Sequence, residues 1–192
     1  LGKESLAHAA AKSTIEAWSR ELAGGGLDAI VVNTSGCGVT IRDYGFMFRG
    51  DPAWADKAAK VSALARDVSE FVAELGLPSS RAPEAVTLAY HPPCSLQHGL
   101  KITQTPRRLL EACGFAVKVP AESHLCCGSA GTYNILQPEL AGRLARRKAE
   151  AIEALCVDAV ATGNIGCMVQ LARATGLPAV HTVELLDWAT GG

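Results

Sequence analysis

Short β-branched runs alternate along this chain with amphipathic helices that stop at glycine, and that rhythm leaves few folds open. The run 28–33, Asp-Ala-Ile-Val-Val-Asn, is typical of a strand buried on both faces of a parallel sheet. It follows apolar residues at helical spacing over 4–22 (Leu6, Ala9, Ala10, Ile15, Trp18, Leu22), and the triple glycine 24–26 ends that helix. Asp51 followed by Pro52 predicts a helix start, with the helix running to about Leu75 and stopping at Gly76. From residue 85 the alternation is regular. Strand 85–91, a helix from about Pro106 to Cys113 and strand 115–119 are followed by helix 138–155. Strand 157–162, helix 167–175, a strand near 179–183 and a C-terminal helix complete it. The expected class is therefore α/β, an open parallel sheet with flanking helices and crossover connections.

Within that rhythm the chain repeats itself. Asp28-Ala29-Ile30 precedes Cys37 on the same spacing as Asp158-Ala159-Val160 precedes Cys167, and each cysteine follows a glycine. The preceding helices match as well, Ile15-Glu16-Ala17 with Ile152-Glu153-Ala154. Residues 1–77 thus read as the back half of a first repeat plus a connecting helix, and 85–192 as a complete second repeat. The stretch 78–84, rich in Pro, Ser and Arg, reads as the linker between them. The first of the two pseudo-repeats is truncated, and the chain opens on Leu1 without an initiator methionine, so it reads as a piece of a longer polypeptide.

Seven cysteines are many for 192 residues, and an odd number does not suit a disulfide framework. In an α/β chain such clustering points to a cytoplasmic protein with metal or redox chemistry. A net charge of −1 argues against nucleic acid, and no apolar run approaches a membrane span. Cys94, Cys126, Cys127 and Cys167 all fall just past the carboxyl ends of predicted strands, the edge where open α/β sheets build their sites. Cys113 and Cys156 fall on the opposite edge and read as core residues. Soft thiolates select iron–sulfur or zinc, and adjacent cysteines suit a multi-iron cluster better than one tetrahedral ion. Gly128, Gly131 and Gly166 leave room for a bulky inorganic group. His91, His98 and His124 flank the thiols and read first as structural hydrogen-bonding residues, with ligation the sharper alternative. Arg143, Arg146, Arg147 and Lys148 read as a solvated helix face, and Trp18, Trp54 and Trp188 as packing residues.

Three stretches carry a family resemblance: His91-Pro92-Pro93-Cys94-Ser95-Leu96-Gln97-His98-Gly99, Ser123-His124-Leu125-Cys126-Cys127-Gly128-Ser129-Ala130-Gly131-Thr132-Tyr133, and Asn164-Ile165-Gly166-Cys167. They resemble the cysteine-rich CCG domain, which occurs in pairs in heterodisulfide reductases and in iron–sulfur subunits of the glycolate oxidase (glycolate dehydrogenase) type. Ser35-Gly36-Cys37-Gly38 and Arg42-Asp43-Tyr44-Gly45 are similar to the latter subunits too. The resemblance implies a [4Fe-4S]-type cluster on Cys94, Cys126, Cys127 and Cys167, with Cys37 matching the last cysteine of the first repeat. It implies electron transfer in a complex with flavin-containing dehydrogenase subunits that oxidises glycolate or a related 2-hydroxy acid. It further implies an N-terminal ferredoxin-like domain and a place at the cytoplasmic face of the inner membrane.

One departure is plain: Cys167 is followed by Met168-Val169-Gln170, where the reductase pattern ends in C-x-x-C. Alternatives stay open at this point. They are a zinc-binding or metal-free docking scaffold, the equivalent subunit of a lactate-utilisation or glycerol-3-phosphate dehydrogenase complex, and thiol–disulfide chemistry at the Cys126-Cys127 pair. The chain by itself is read as a relay component with no catalytic residue.

Overall fold

Among the described residues of the computed structural model, 2–78 and 86–192, every strand runs parallel to its neighbours. A two-stranded sheet pairs β1 (Ile30–Val32) with β2 (Ala65–Asp67). A four-stranded sheet holds β3 (Thr87–Tyr90), β4 (Ala116–Lys118), β5 (Ala159–Thr162) and β6 (Ala179–His181) in the order β4-β3-β5-β6. Ten α-helices flank them among these residues: α1 (Glu4–Gly24), α2 (Ser35–Arg42), α3 (Tyr44–Met47), α4 (Ala55–Leu64) and α5 (Val68–Leu75), then α6 (Thr105–Ala112), α7 (Tyr133–Leu136), α8 (Pro138–Glu153), α9 (Ile165–Thr175) and α10 (Thr182–Thr190). A π-helical turn spans Ser95–Leu100. The α/β class with parallel strands and flanking helices is as the sequence implies. The linker read at 78–84 falls, apart from Pro78, outside the described residues.

The order α1-β1-α2-β2-α5 recurs as α8-β5-α9-β6-α10, with α3 and α4 inserted in the first instance. This breaks the single helix expected over 51–75. Asp51 opens a turn by accepting from the Ala53 N–H at 3.1 Å, and the helix proper starts only at Ala55. At 65–67 the chain extends into β2 because Asp67 starts a new helix. Its Oδ1 accepts from the Ser69 N–H at 2.9 Å while Glu70 accepts from the Asp67 N–H, a reciprocal capping box. His181 and Glu184 cap α10 in the same way.

Burial raises the Asp67 carboxyl above the ordinary value, against the lowering effect of its bonds to Ser69. The folded chain then holds that proton to higher pH than the unfolded chain. Its contribution to stability is present below the unfolded value and is lost as pH rises through the folded one. Urea midpoints taken across this interval should therefore fall with pH in wild type and stay flatter in Asp67→Asn, which keeps an acceptor but cannot ionise. Asp67→Ala should cost about 1 kcal/mol at the low-pH end of the interval, because it removes the cap, and less at the high-pH end, where it also removes a buried charge.

The side-chain period of two splits the large sheet into two faces. Leu88, Tyr90, Ala159 and Ala161 pack with Leu110, Leu185 and Leu186 on one side. Ala89 and Val160 pack on the other with Ile152, Leu171, Cys127 and Cys167. Two of the thiols are thus continuous with the core. The smaller sheet has its own cluster around Ile15, Ile30, Phe48 and Val61, to which Trp18 and Trp54 add. The two sheets meet at their carboxyl ends. Ser35 N donates to Gly163 O at 3.3 Å, and His181 Nε2 donates to Asn33 O at 2.7 Å. Because His181 Nδ1 accepts from Val183 N, the imidazole proton sits on Nε2.

Candidate metal centre

Each thiol of the candidate set arrives on a strand–helix connection. Cys94 follows β3 and precedes the π-helical turn. That turn is tied to the next loop by Gln97 Nε2, which donates to Pro92 O and to Ser123 O, at 3.2 and 3.3 Å. Cys126 and Cys127 sit on the loop between β4 and α7. Cys167 lies in the first turn of α9, whose N-terminus Asn164 caps by accepting from the Gly166 N–H at 3.0 Å. The three connections close around a cavity of about 310 Å³ lined by all four thiols together with Gly131, Gly166 and Ser129. Gly36 of the first instance reaches its rim.

Sequence reasoning missed what fixes the Cys126-Cys127 loop from beneath. Lys148, expected on a solvated face of α8, is 3% exposed. Its Nζ donates to Glu122 O at 2.6 Å, and Arg147 pairs with the Glu122 carboxylate. The apolar body of Lys148 explains the burial, since a long stem can pack while its head finds a carbonyl. Glu122 itself takes a positive φ of 52°. Ser35, Ser95 and Asn164 form a second bracket, with Ser35 and Ser95 hydroxyls 2.7 Å apart and Asn164 Nδ2 donating to Ser35 Oγ at 3.3 Å. The Asn before Ile-Gly was the available sequence signal for that cap.

The electrostatics suit thiolates that await a cation. Hydrogen bonding with the Cys127 thiol, and then with Cys94, holds Cys126 well below the ordinary thiol value, and the Gly128 N–H donates to its Sγ at 3.3 Å. Cys167 is lowered to about 6, first by the Cys127 thiol and then, against burial, by the facing His91 imidazole. Cys127 and Cys94 are pushed up, first because each thiol is hydrogen-bonded to the Cys126 sulfur and then because burial and the neighbouring thiolates penalise a further charge. Four sulfurs this close cannot all ionise without a positive charge among them. A metal centre supplies it, and the donor set, its burial and the glycine-rich cavity fit an iron–sulfur group.

The other cysteines separate from this set. Cys37 is exposed and lies outside the lining of the cavity, although Gly36 beside it is part of that lining. Cys113 is buried in the core against Leu110 and Phe115, as a packing residue would be. Cys156, expected in the core, is instead exposed, because it sits in the turn after α8 at a φ of 48°. His98 places its ring against the His124 carbonyl at 3.1 Å, a structural contact. His91 behaves differently: it is 1% exposed, and among the described residues neither ring nitrogen meets an oxygen or nitrogen partner, the ring instead facing the Cys167 sulfur.

A parallel α/β unit that gathers thiols from three strand–helix connections is a cysteine-rich domain in form, and residues 88–172 match the family model described as "CCG: Cysteine-rich domain". The chain carries a domain of that family. It is 38% identical, over 94% of its length, to the "Glycolate oxidase iron-sulfur subunit" of Escherichia coli (strain K12), covering 44% of that protein. It is 31% identical over 86% of its length to the "Probable glycolate oxidase iron-sulfur subunit" of Bacillus subtilis (strain 168), covering 39%. With "Lactate utilization protein A" of Geobacillus thermodenitrificans (strain NG80-2) it shares 26% identity over 83% of its length and 70% of that protein. The chain thus spans less than half of the first two relatives. No helix among the described residues is long and apolar enough to cross a membrane.

Proposed function

We propose that this chain is the cysteine-rich, electron-carrying part of an iron–sulfur subunit of a flavin-linked glycolate (2-hydroxy acid) dehydrogenase. In this reading Cys94, Cys126, Cys127 and Cys167 hold a [4Fe-4S]-type cluster. The observation that carries the proposal is the convergence of these four thiols on one cavity at the carboxyl ends of parallel strands. When bound, such a cluster accepts and passes on single electrons. The protein's own residues hold it: the cap on α9 fixes Cys167, the Lys148–Glu122 bracket fixes the Cys126-Cys127 loop, and Gly128 N–H is aimed at a ligating sulfur. Electrons would come from flavin-containing subunits and leave towards the respiratory chain, by way of a ferredoxin-like domain N-terminal to this segment and at the cytoplasmic face of the inner membrane. The same site serves equally the equivalent subunit of a lactate-utilisation complex.

The domain reading belongs to the same proposal. Residues 1–77 form the back half of a first repeat and 85–192 a complete second one, joined at 78–84. The recurring helix–strand order supports it. Cys37 would then serve a site completed by residues preceding this segment.

Metal analysis after strictly anaerobic purification tests the assignment. Iron with acid-labile sulfide is the expected result. Zinc with no iron would replace it by the docking-scaffold reading, for which tetrahedral thiolate coordination would suffice.

A further inference from the structure

The thiols are not the only donors at this site. His91 is the first residue after β3, and its backbone N–H donates to Ala161 O at 2.9 Å, continuing the register between β3 and β5. His91 is not among the residues that line the cavity, but one of its ring nitrogens and the sulfurs of Cys127 and Cys167, which do line it, lie within 4.8 Å of one another. All three residues are buried. A buried imidazole that faces only sulfur, with no oxygen or nitrogen partner for either ring nitrogen, is poorly compensated for the water it would bind in the unfolded chain. Neighbouring structure offers neither a carboxylate nor a carbonyl to either nitrogen among the described residues.

We infer that His91 is itself a metal ligand, one ring nitrogen joining Cys127 and Cys167 at the buried side of the centre. This rests on the metal-centre reading above and deepens it, turning an all-thiolate site into a mixed nitrogen–sulfur one. Ligation removes one orphan nitrogen. By register Tyr90 pairs with Ala161, so His91 stands beside Thr162, whose buried hydroxyl also lacks a partner. Cys94 and Cys126, both only partly buried, complete the donor set on the open side.

The test uses the chain with histidine labelled by ¹⁵N, loaded anaerobically with iron and sulfide and brought to a paramagnetic state. Pulsed EPR should show a strongly coupled nitrogen whose signal changes with the isotope, and that coupling should vanish in His91→Cys while iron is retained. His91→Ala should lose iron to a chelator more than about tenfold faster than wild type, since removal of even an outer-shell partner costs about 10–100-fold in metal affinity. Only weak nitrogen coupling in a protein that does hold iron would overturn the inference and leave the cluster reading standing. If zinc is bound in place of iron, X-ray absorption decides the same point. One nitrogen at about 2.0–2.1 Å supports His91 as ligand, and a pure sulfur shell overturns it. A protein that takes up neither metal fails the metal-centre reading and the ligand inference together.

Discussion

Cys126→Ser and Cys167→Ser are each expected to lose the bound iron almost completely, whereas Cys37→Ser and Cys156→Ser should load as wild type does. The contrast follows from where the sulfurs lie. Cys126 and Cys167 line the cavity on two different connections, so removing either opens the ring of donors at a point no neighbour can fill. Their thiolate character is built in by the adjacent thiols, the Gly128 N–H and the position of Cys167 in the first turn of α9. Serine keeps the volume but is a hard, feebly acidic donor that iron–sulfur chemistry does not favour. Loss of an outer-shell partner already costs about 10–100-fold in affinity, so loss of a ligand should exceed it. Cys37 and Cys156 are exposed and outside the lining. Iron and sulfide analysis with the charge-transfer absorption of the loaded chain reads all four variants. Equal iron in Cys126→Ser and wild type would remove the basis for the proposed function.

Gly128→Ala should be the most damaging single methyl in the site. Gly128 has a φ of +90°, and a Cβ there would lie 2.4 Å from the Ala141 carbonyl oxygen and 3.2 Å from Leu144 Cβ. The first obstacle is backbone of α8 and cannot rotate away. A left-handed conformation costs a side-chain-bearing residue about 1–2 kcal/mol, and overpacking a close contact about 1–3 kcal/mol. The expected loss of about 2–5 kcal/mol is a large share of a domain stability of about 5–15 kcal/mol. Gly131→Ala is the control, because its φ of +65° carries the backbone penalty while no atom lies within 4 Å of the added Cβ. Chemical denaturation should place Gly128→Ala well below Gly131→Ala. Similar midpoints would mean that α8 can retreat from the Cys126-Cys127 loop and does not clamp it.

The second half of the chain is legible in the sequence because its signals are redundant. Strand 159–162 is an unbroken apolar run closed by a threonine, α9 ends at Gly176 in the left-handed conformation, and Pro138 starts α8. Since the side of the sheet edge follows from the order of strand and helix, the four cavity thiols group together on the sequence alone. The first half misleads where local and tertiary preferences compete. Residues 55–75 are mostly good helix formers, and only the Asp67-x-x-Glu70 box, together with pairing to β1, makes 65–67 extend. Lys148 is misplaced by its sequence because a helical face cannot reveal that a loop carbonyl from Glu122 waits above it. The importance of His91 cannot be read from type and position alone. It rests on a buried ring that faces the Cys127 and Cys167 sulfurs and finds no oxygen or nitrogen partner, which is visible only once the surroundings are in place.

The most direct test of the central assignment is Mössbauer and EPR spectroscopy of the wild-type chain reconstituted anaerobically, with iron and acid-labile sulfide counted on the same sample. Iron and sulfide in equal molar amounts, with the spectra of a coupled multi-iron cluster, are expected. Uncoupled mononuclear iron without sulfide, or a chain that leaves Cys94, Cys126, Cys127 and Cys167 open to alkylation after reconstitution, would contradict it.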